Sequence, residues 1–166
     1  MIYAFDTYYY EDYANTVCIA FDDWTSEREI ETFTEQTDIN SGYESGAFYK
    51  RELPCILSLL NKIVLKDGDV IIVDGYVTLD DHGKIGLGGH LYDVLKEKFA
   101  VVGIAKNEFT TPDSQRRNVF RGESRTPLFI TAKGIDVDQV KRHVEQMHGA
   151  YRMPTLLKKL DQLSRD

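Results

Sequence analysis

A switch of hydrophobic period near the middle of the chain limits the folds open to it. "DVIIVDG" at 69–75 is a short, unbroken apolar run bounded by Asp and Gly, the pattern of a strand covered on both faces. Residues 86–98 then read as a helix, and "AVVGIA" at 100–105 is a second buried strand. Strand, helix, strand in that order makes a β-α-β unit with parallel strands. Such a unit dictates an α/β domain whose ligand site lies at the carboxyl ends of the strands.

Residues upstream supply the rest of a mixed sheet. Two strand-like runs, 1–10 and 16–21, flank the polar "EDYAN" and predict a hairpin. A third run, "EREIETFTEQT" at 27–37, sets Ile30, Thr32 and Thr34 on one face and completes a meander. "DINSGYESG" at 38–46 is a loop by its turn formers. From Glu52 to Ile63 apolar residues recur at helical spacing, and Pro54, tolerated in a first turn, puts the helix start near Glu52. Downstream, the Arg-rich 106–125 is a long connection, "TPLFIT" at 126–131 a last strand, and 136–147 and 153–165 are helices.

At 166 residues without a composition shift, the chain reads as one domain, 1–166. No run approaches the roughly 18 to 20 apolar residues of a membrane span, and no signal-like leader opens it, so the expectation is a cytoplasmic monomer with no membrane partner. Cys18 and Cys55 lie in apolar surroundings and read as buried thiols. A net charge of −7 argues against a protein that works by non-specific attraction to nucleic acid. It leaves room for a nuclease whose grouped carboxylates hold divalent cations.

Three acids mark element boundaries. Asp6 follows "IYAF", Glu52 opens the first helix, and Asp74 closes "VIIV". In a sheet of three antiparallel strands followed by parallel ones, the first strand often lies beside the strand carrying Asp74. The two carboxylates would then repel unless a divalent cation lay between them. The plain alternative is turn chemistry, since Asp after an apolar run is common.

The succession "AFDTYY", "GYESGAFYKRELP", "IIVDGY", "GLGGHL", "VVGIAKN", "TPLFIT" and "GAYRMPTLLKKLD" resembles endonuclease V, in order over nearly the whole chain. That family cleaves nucleic acid near deoxyinosine or inosine on an α/β, ribonuclease-H-like three-layer fold, a mixed central sheet flanked by helices. The resemblance implies a Mg²⁺-dependent endonuclease, with Mn²⁺ possible, acting on DNA or RNA. It makes Asp6, Glu52 and Asp74 metal-binding catalytic residues, with Asp161 a fourth ligand and Lys106 positioned to meet a phosphate oxygen. His90 matches a family histidine and is either a substrate or a structural residue. Gly86, Gly88 and Gly89 fit either close approach to an extruded base or tight packing of a helix on a sheet.

The resemblance also has gaps. The family's Pro-Tyr-Ile-Pro wedge aligns with "GYES", where only Tyr43 remains as a substrate-binding residue and Glu44 adds a negative charge. "LDDHGK" replaces a stretch like His-Pro-Arg after Asp74. Arg116, Arg117, Arg121 and Arg125 form either a phosphate-contacting patch or a solvated loop. Tyr8, Tyr9 and Tyr10 offer a stacking face, although strand alternation sends at least one into the core. Competing functions are a structure-selective nuclease without inosine preference and a non-catalytic binding module.

Overall fold

The computed structural model describes residues 1–39 and 48–166. Seven strands form one sheet in the order β3-β2-β1-β4-β5-β7-β6. They are β1 (Ile2–Tyr9), β2 (Tyr13–Phe21), β3 (Glu31–Asp38), β4 (Val70–Asp74), β5 (Ala100–Ala105), β6 (Arg117–Val119) and β7 (Leu128–Lys133). The described helices are α1 (Phe48–Leu60), α2 (Leu87–Val94), α3 (Val137–Gln146) and α4 (Thr155–Ser164). The first three strands form the expected antiparallel meander, and β1, β4 and β5 run parallel.

Strand alternation explains the three layers. Ile2 and Ala4 of β1, with Ile72 of β4, face α3 and α4, whose Val140, Val144, Leu156 and Leu160 complete one core. The intervening Tyr3 and Phe5, with Ile71 and Val73, face α1 and α2 and bury Ile56, Leu59 and Leu91 in a second core. Because side chains alternate with period two, Asp6 and Asp74 inherit the face of Ala4 and Ile72 and point toward α4.

Several boundaries differ from the sequence pattern. α1 begins at Phe48, so Pro54 lies inside it rather than in its first turn. Proline there removes one backbone donor, a loss outweighed by the apolar face that α1 buries; in the same turn the Cys55 thiol donates to the Arg51 carbonyl, 3.7 Å away. α2 ends at Val94 instead of continuing to 98, because Lys96 and Glu97 take left-handed φ values of 58° and 60°. In β3 the half-buried side chains are Phe33, Glu35 and Thr37, while Ile30 is exposed. An edge strand with one weakly covered face leaves its pattern too faint to fix the parity. The long connection contains β6, and β7 returns antiparallel to β5 instead of extending the parallel set.

Candidate active site

β1 and β4 pair in parallel with Phe5 opposite Val73, so Asp6 and Asp74 stand one step further along, side by side at the carboxyl ends of the strands. They open into a cleft of about 350 Å³ whose polar lining is Asp6, Asp74, Lys106 and Asp161, with Ile104, Met153 and Leu157 among its apolar walls. This is where a β-α-β unit is expected to hold a ligand. Lys106 follows β5, the strand next to β4, and Asp161 comes from α4, which covers this face.

The charges are tightly coupled. Asp6 is 8% exposed, and its Oδ2 accepts a hydrogen bond of 2.8 Å from the Ser164 hydroxyl at the end of α4. Burial, and next the charge of Asp74, push its carboxyl up to about 6 in spite of that bond and of Lys106. The Asp74 side chain reaches solvent through the cleft but is crowded by protein on its other sides. Its carboxyl is therefore raised by burial, lowered by Lys106 and raised by Asp161. Glu52, in the second turn of α1, is 3% exposed. Burial and then the charges of Asp74 and Asp6 hold it well above the usual carboxylate range, with Arg51 opposing. Lys106 Nζ lies 3.6 Å from Asp161 Oδ1, and Arg165 Nη2 reaches the same oxygen at 3.4 Å.

A divalent ion such as Mg²⁺ needs hard oxygen donors. Among the described residues no three His, Cys, Asp or Glu side chains converge into a ready-made cage. Mg²⁺, however, keeps several waters and binds through one or two carboxylates together with substrate phosphate. Two adjacent carboxylates with raised pKa values, at the floor of an open cleft, fit that demand: a cation between them would offset the burial and the neighbouring acids that now favour protonation, Asp74 beside Asp6 and Asp161 beside Asp74.

The remaining sequence expectations separate. Gly86, Gly88 and Gly89 are buried. A Cβ on Gly86 would meet the Tyr76 carbonyl oxygen at 2.5 Å, one on Gly88 would meet Val77 Cγ2 at 2.6 Å, and one on Gly89 would meet the Val77 carbonyl oxygen at 2.5 Å. Packing of α2 against the segment after β4 accounts for all three. His90 is half-buried in the first turn of α2, its N–H donating to the Gly86 carbonyl. Tyr43 lies outside the described residues, as does the rest of "GYES". The four arginines do not form one patch. Arg121 is buried and donates to the carbonyls of Val144, Glu145, Met147, Gly149 and Tyr151, while Arg116 pairs with Glu108 and Arg117 with Asp138.

Three residues were missed by the sequence reading. Ser164 bonds Asp6, Arg165 pairs with Asp161, and Arg152 Nη2 donates to the carbonyls of Lys106, at 2.5 Å, and Pro127, at 2.7 Å. Only the helical spacing of Ser164 and Arg165 from Asp161, three and four residues on, could have signalled them.

The family model for endonuclease V matches residues 1–130, more than half of the sequence. The chain belongs to the endonuclease V family. Its match stops short of Asp161, but the fold of the relatives extends over nearly the whole chain. Endonuclease V from Bacillus subtilis superimposes with a TM-score of 0.77 at 18% identity, over 99% of this chain and 78% of that one. Ciona intestinalis endonuclease V, in complex with a 24mer DNA containing an inosine followed by a ribo-adenosine, gives 0.76 at 16% identity, covering 99% and 84%. The catalytic domain of human endonuclease V gives 0.74 at 18% identity, covering 99% and 80%. No curated protein sequence matches significantly. The fold is thus the ribonuclease-H-like one that the resemblance implied.

Proposed function

We propose that this chain is a Mg²⁺-dependent endonuclease, with Mn²⁺ as an alternative ion, that hydrolyses a phosphodiester bond near deoxyinosine or inosine in DNA or RNA. The observation that carries the reading is the pairing of Asp6 with Asp74 in adjacent register at the floor of a cleft edged by Lys106 and Asp161. Membership of a nuclease family supports the reaction class, and the inosine-containing DNA bound by the Ciona relative supports the substrate.

Asp6 and Asp74 would hold the ion together with substrate phosphate, with Asp161 on the cleft wall and Glu52, coupled electrostatically to both sheet carboxylates, as the further ligands that the family resemblance implies. Bound there, Mg²⁺ would supply Lewis acidity to activate water and offset charge on the phosphoryl oxygens. The chain does the positioning. Asp6 is fixed by Ser164, and Lys106 is anchored through its carbonyl by Arg152, while its ammonium, 3.6 Å from Asp161 at the cleft, would meet a phosphate oxygen as the negative charge there grows. In the step itself a water oxygen gives up a proton and bonds to phosphorus, the bond from phosphorus to the ester oxygen breaks, and that oxygen takes up a proton. Tyr43 and His90 are assigned to the substrate side, and the working unit is a monomer. Among the described residues no helix is long and apolar enough to cross a membrane.

A structure-selective nuclease without inosine preference is the second reading. It is favoured by the loss of both wedge prolines around Tyr43 and by Gly86, Gly88 and Gly89 facing the protein's own backbone and side chains. Matched single- and double-stranded DNA and RNA, each with and without one inosine, separate the two in Mg²⁺ and in EDTA. Metal-dependent cutting beside inosine that vanishes in Asp74→Asn is the expected result. Cutting that ignores inosine and follows strand structure would move the reading to the second function, and no cutting at all by folded protein would leave a binding module.

A further inference from the structure

Beyond the cleft, β1 and β2 close through a two-residue turn, Glu11–Asp12, with the Tyr10 N–H donating to the Tyr13 carbonyl at 2.8 Å. This sets Tyr10 and Tyr13 opposite one another, and their rings stack at 4.7 Å with an interplanar angle of 15°. Tyr8, two residues back on the same face, meets Tyr10 edge-on at 5.0 Å and is 38% exposed. The guanidinium of Arg165 lies over the Tyr8 ring at 5.3 Å. The Tyr10 hydroxyl donates to the Arg165 carbonyl at 2.6 Å, which ties the end of α4 to the rings.

Asp6 is on this face of β1 too, two residues before Tyr8, about 7 Å along an extended strand. Arg165 spans the gap, since its Nη2 pairs with Asp161, the cleft acid that also meets Lys106. An unbroken path therefore runs from the cleft through Asp161 and Arg165 to the exposed Tyr8 ring and the half-buried Tyr10 and Tyr13. Isolated exposed aromatics are ordinary; a ring array joined to a guanidinium and leading out of a cleft edged by a lysine is not explained by packing alone.

We propose that Tyr8, Tyr10, Tyr13 and Arg165 form a stacking platform for unpaired bases of the nucleic-acid strand beside the cleft, with Arg165 taking a phosphate of the same strand. The inference rests on the nuclease reading and adds that the platform selects single-stranded or locally opened substrate. Rings accept any base through its π-face, so the platform contributes affinity without sequence preference. A paired base is already stacked on its neighbours within the duplex and gains nothing there.

The test measures binding of dye-labelled single-stranded DNA and of a blunt duplex in Mg²⁺, with Asp74→Asn present throughout so that the substrate stays whole. Tyr8→Ala is expected to weaken single-strand binding about 10-fold and duplex binding less than about twofold, whereas Tyr8→Phe keeps the parent affinity. A strand carrying abasic sites should bind the parent about 10-fold more weakly and lose nothing further in Tyr8→Ala. Arg165→Gln should lower the slope of log affinity against log salt by about 0.7, the loss of one single-strand phosphate contact. Tyr13→Ala provides an independent truncation of the array should Tyr8→Ala fold poorly, and the same single-strand loss is expected. Equal losses on strand, duplex and abasic strand, or no loss in a folded variant, would overturn the platform while leaving the nuclease reading intact. A parent protein that binds no nucleic acid would overturn the nuclease reading and the platform with it.

Discussion

Replacing Asp6 by asparagine is expected to stabilise the metal-free protein at neutral pH and to leave it nearly unchanged at pH 4. The Asp6 carboxyl is held at about 6 against an ordinary 3.8, chiefly by burial and then by Asp74. Below pH 4 it is protonated in both the folded and unfolded chains. Between 4 and 6 the folded chain keeps a proton that the unfolded chain has released, so stability falls as pH rises through that window. Above 6 the full cost is in place, about 3 kcal/mol at roughly 1.4 kcal/mol per pH unit. Asparagine removes the charge and still accepts the Ser164 hydroxyl, and for a domain of this length the gain corresponds to a rise in Tm of about 6 to 12 °C at pH 7.5 in EDTA. Scanning calorimetry at pH 4 and 7.5, each with EDTA and with Mg²⁺, reads the effect. Mg²⁺ should raise the wild-type Tm at pH 7.5 and raise that of the variant less, because the repulsion it relieves is already gone. Equal shifts at the two pH values, or a variant less stable than wild type at pH 7.5, would refute the electrostatic account.

Other substitutions probe separate parts of the molecule. Lys106→Gln should reduce the cleavage rate about 100-fold or more with little change in KM, as expected for a charge used mainly in the transition state, and single-turnover kinetics report it. Gly89→Ala should lower stability by about 1 to 3 kcal/mol, because its Cβ would lie 2.5 Å from the Val77 carbonyl oxygen and 2.4 Å from Ile85 Cβ; urea denaturation measures the loss. Arg121→Ala strips donors from five carbonyls around the end of α3 and should cost at least about 2 kcal/mol in the same assay, with the salt dependence of nucleic-acid binding unaltered.

What the sequence revealed follows the strength of burial. "VIIVD" and "AVVGIA" are covered on both faces, so their apolar runs located β4 and β5 to within a residue and placed Asp74 at a strand end. The neighbouring of β1 and β4, and with it Asp6 beside Asp74, followed from the order of antiparallel and parallel strands. Weakly covered elements were harder to read. β3 has one half-buried face, and β6 is three residues long within a polar stretch, too short for a period to show. Pro54 misled because its local cost was outweighed by a tertiary contact that composition does not display. The arginines misled in another way: charge type and exposure are separate matters, and Arg121 spends its donors on a helix end inside the protein. Arg152 was invisible because it acts through a bond to a residue 46 positions away, and the bond from Ser164 to Asp6 spans 158 positions, so the spacing of Ser164 from Asp161 hinted at a shared helix face and not at Asp6.

That 158-residue separation between Asp6 and the hydroxyl that orients it bears on when the protein becomes competent. β1 is made first and α4 last among the described elements, and α4 brings Asp161, Ser164 and Arg165 together. A chain still being synthesised can pair β1 with β4 and set Asp6 beside Asp74, yet it lacks the acid and the hydroxyl that complete the cleft. Closing that distance is the slow, non-local kind of contact. On the proposed nuclease reading, cutting power would therefore be withheld until α4 docks, and a half-made product would carry the paired acids without the means to use them.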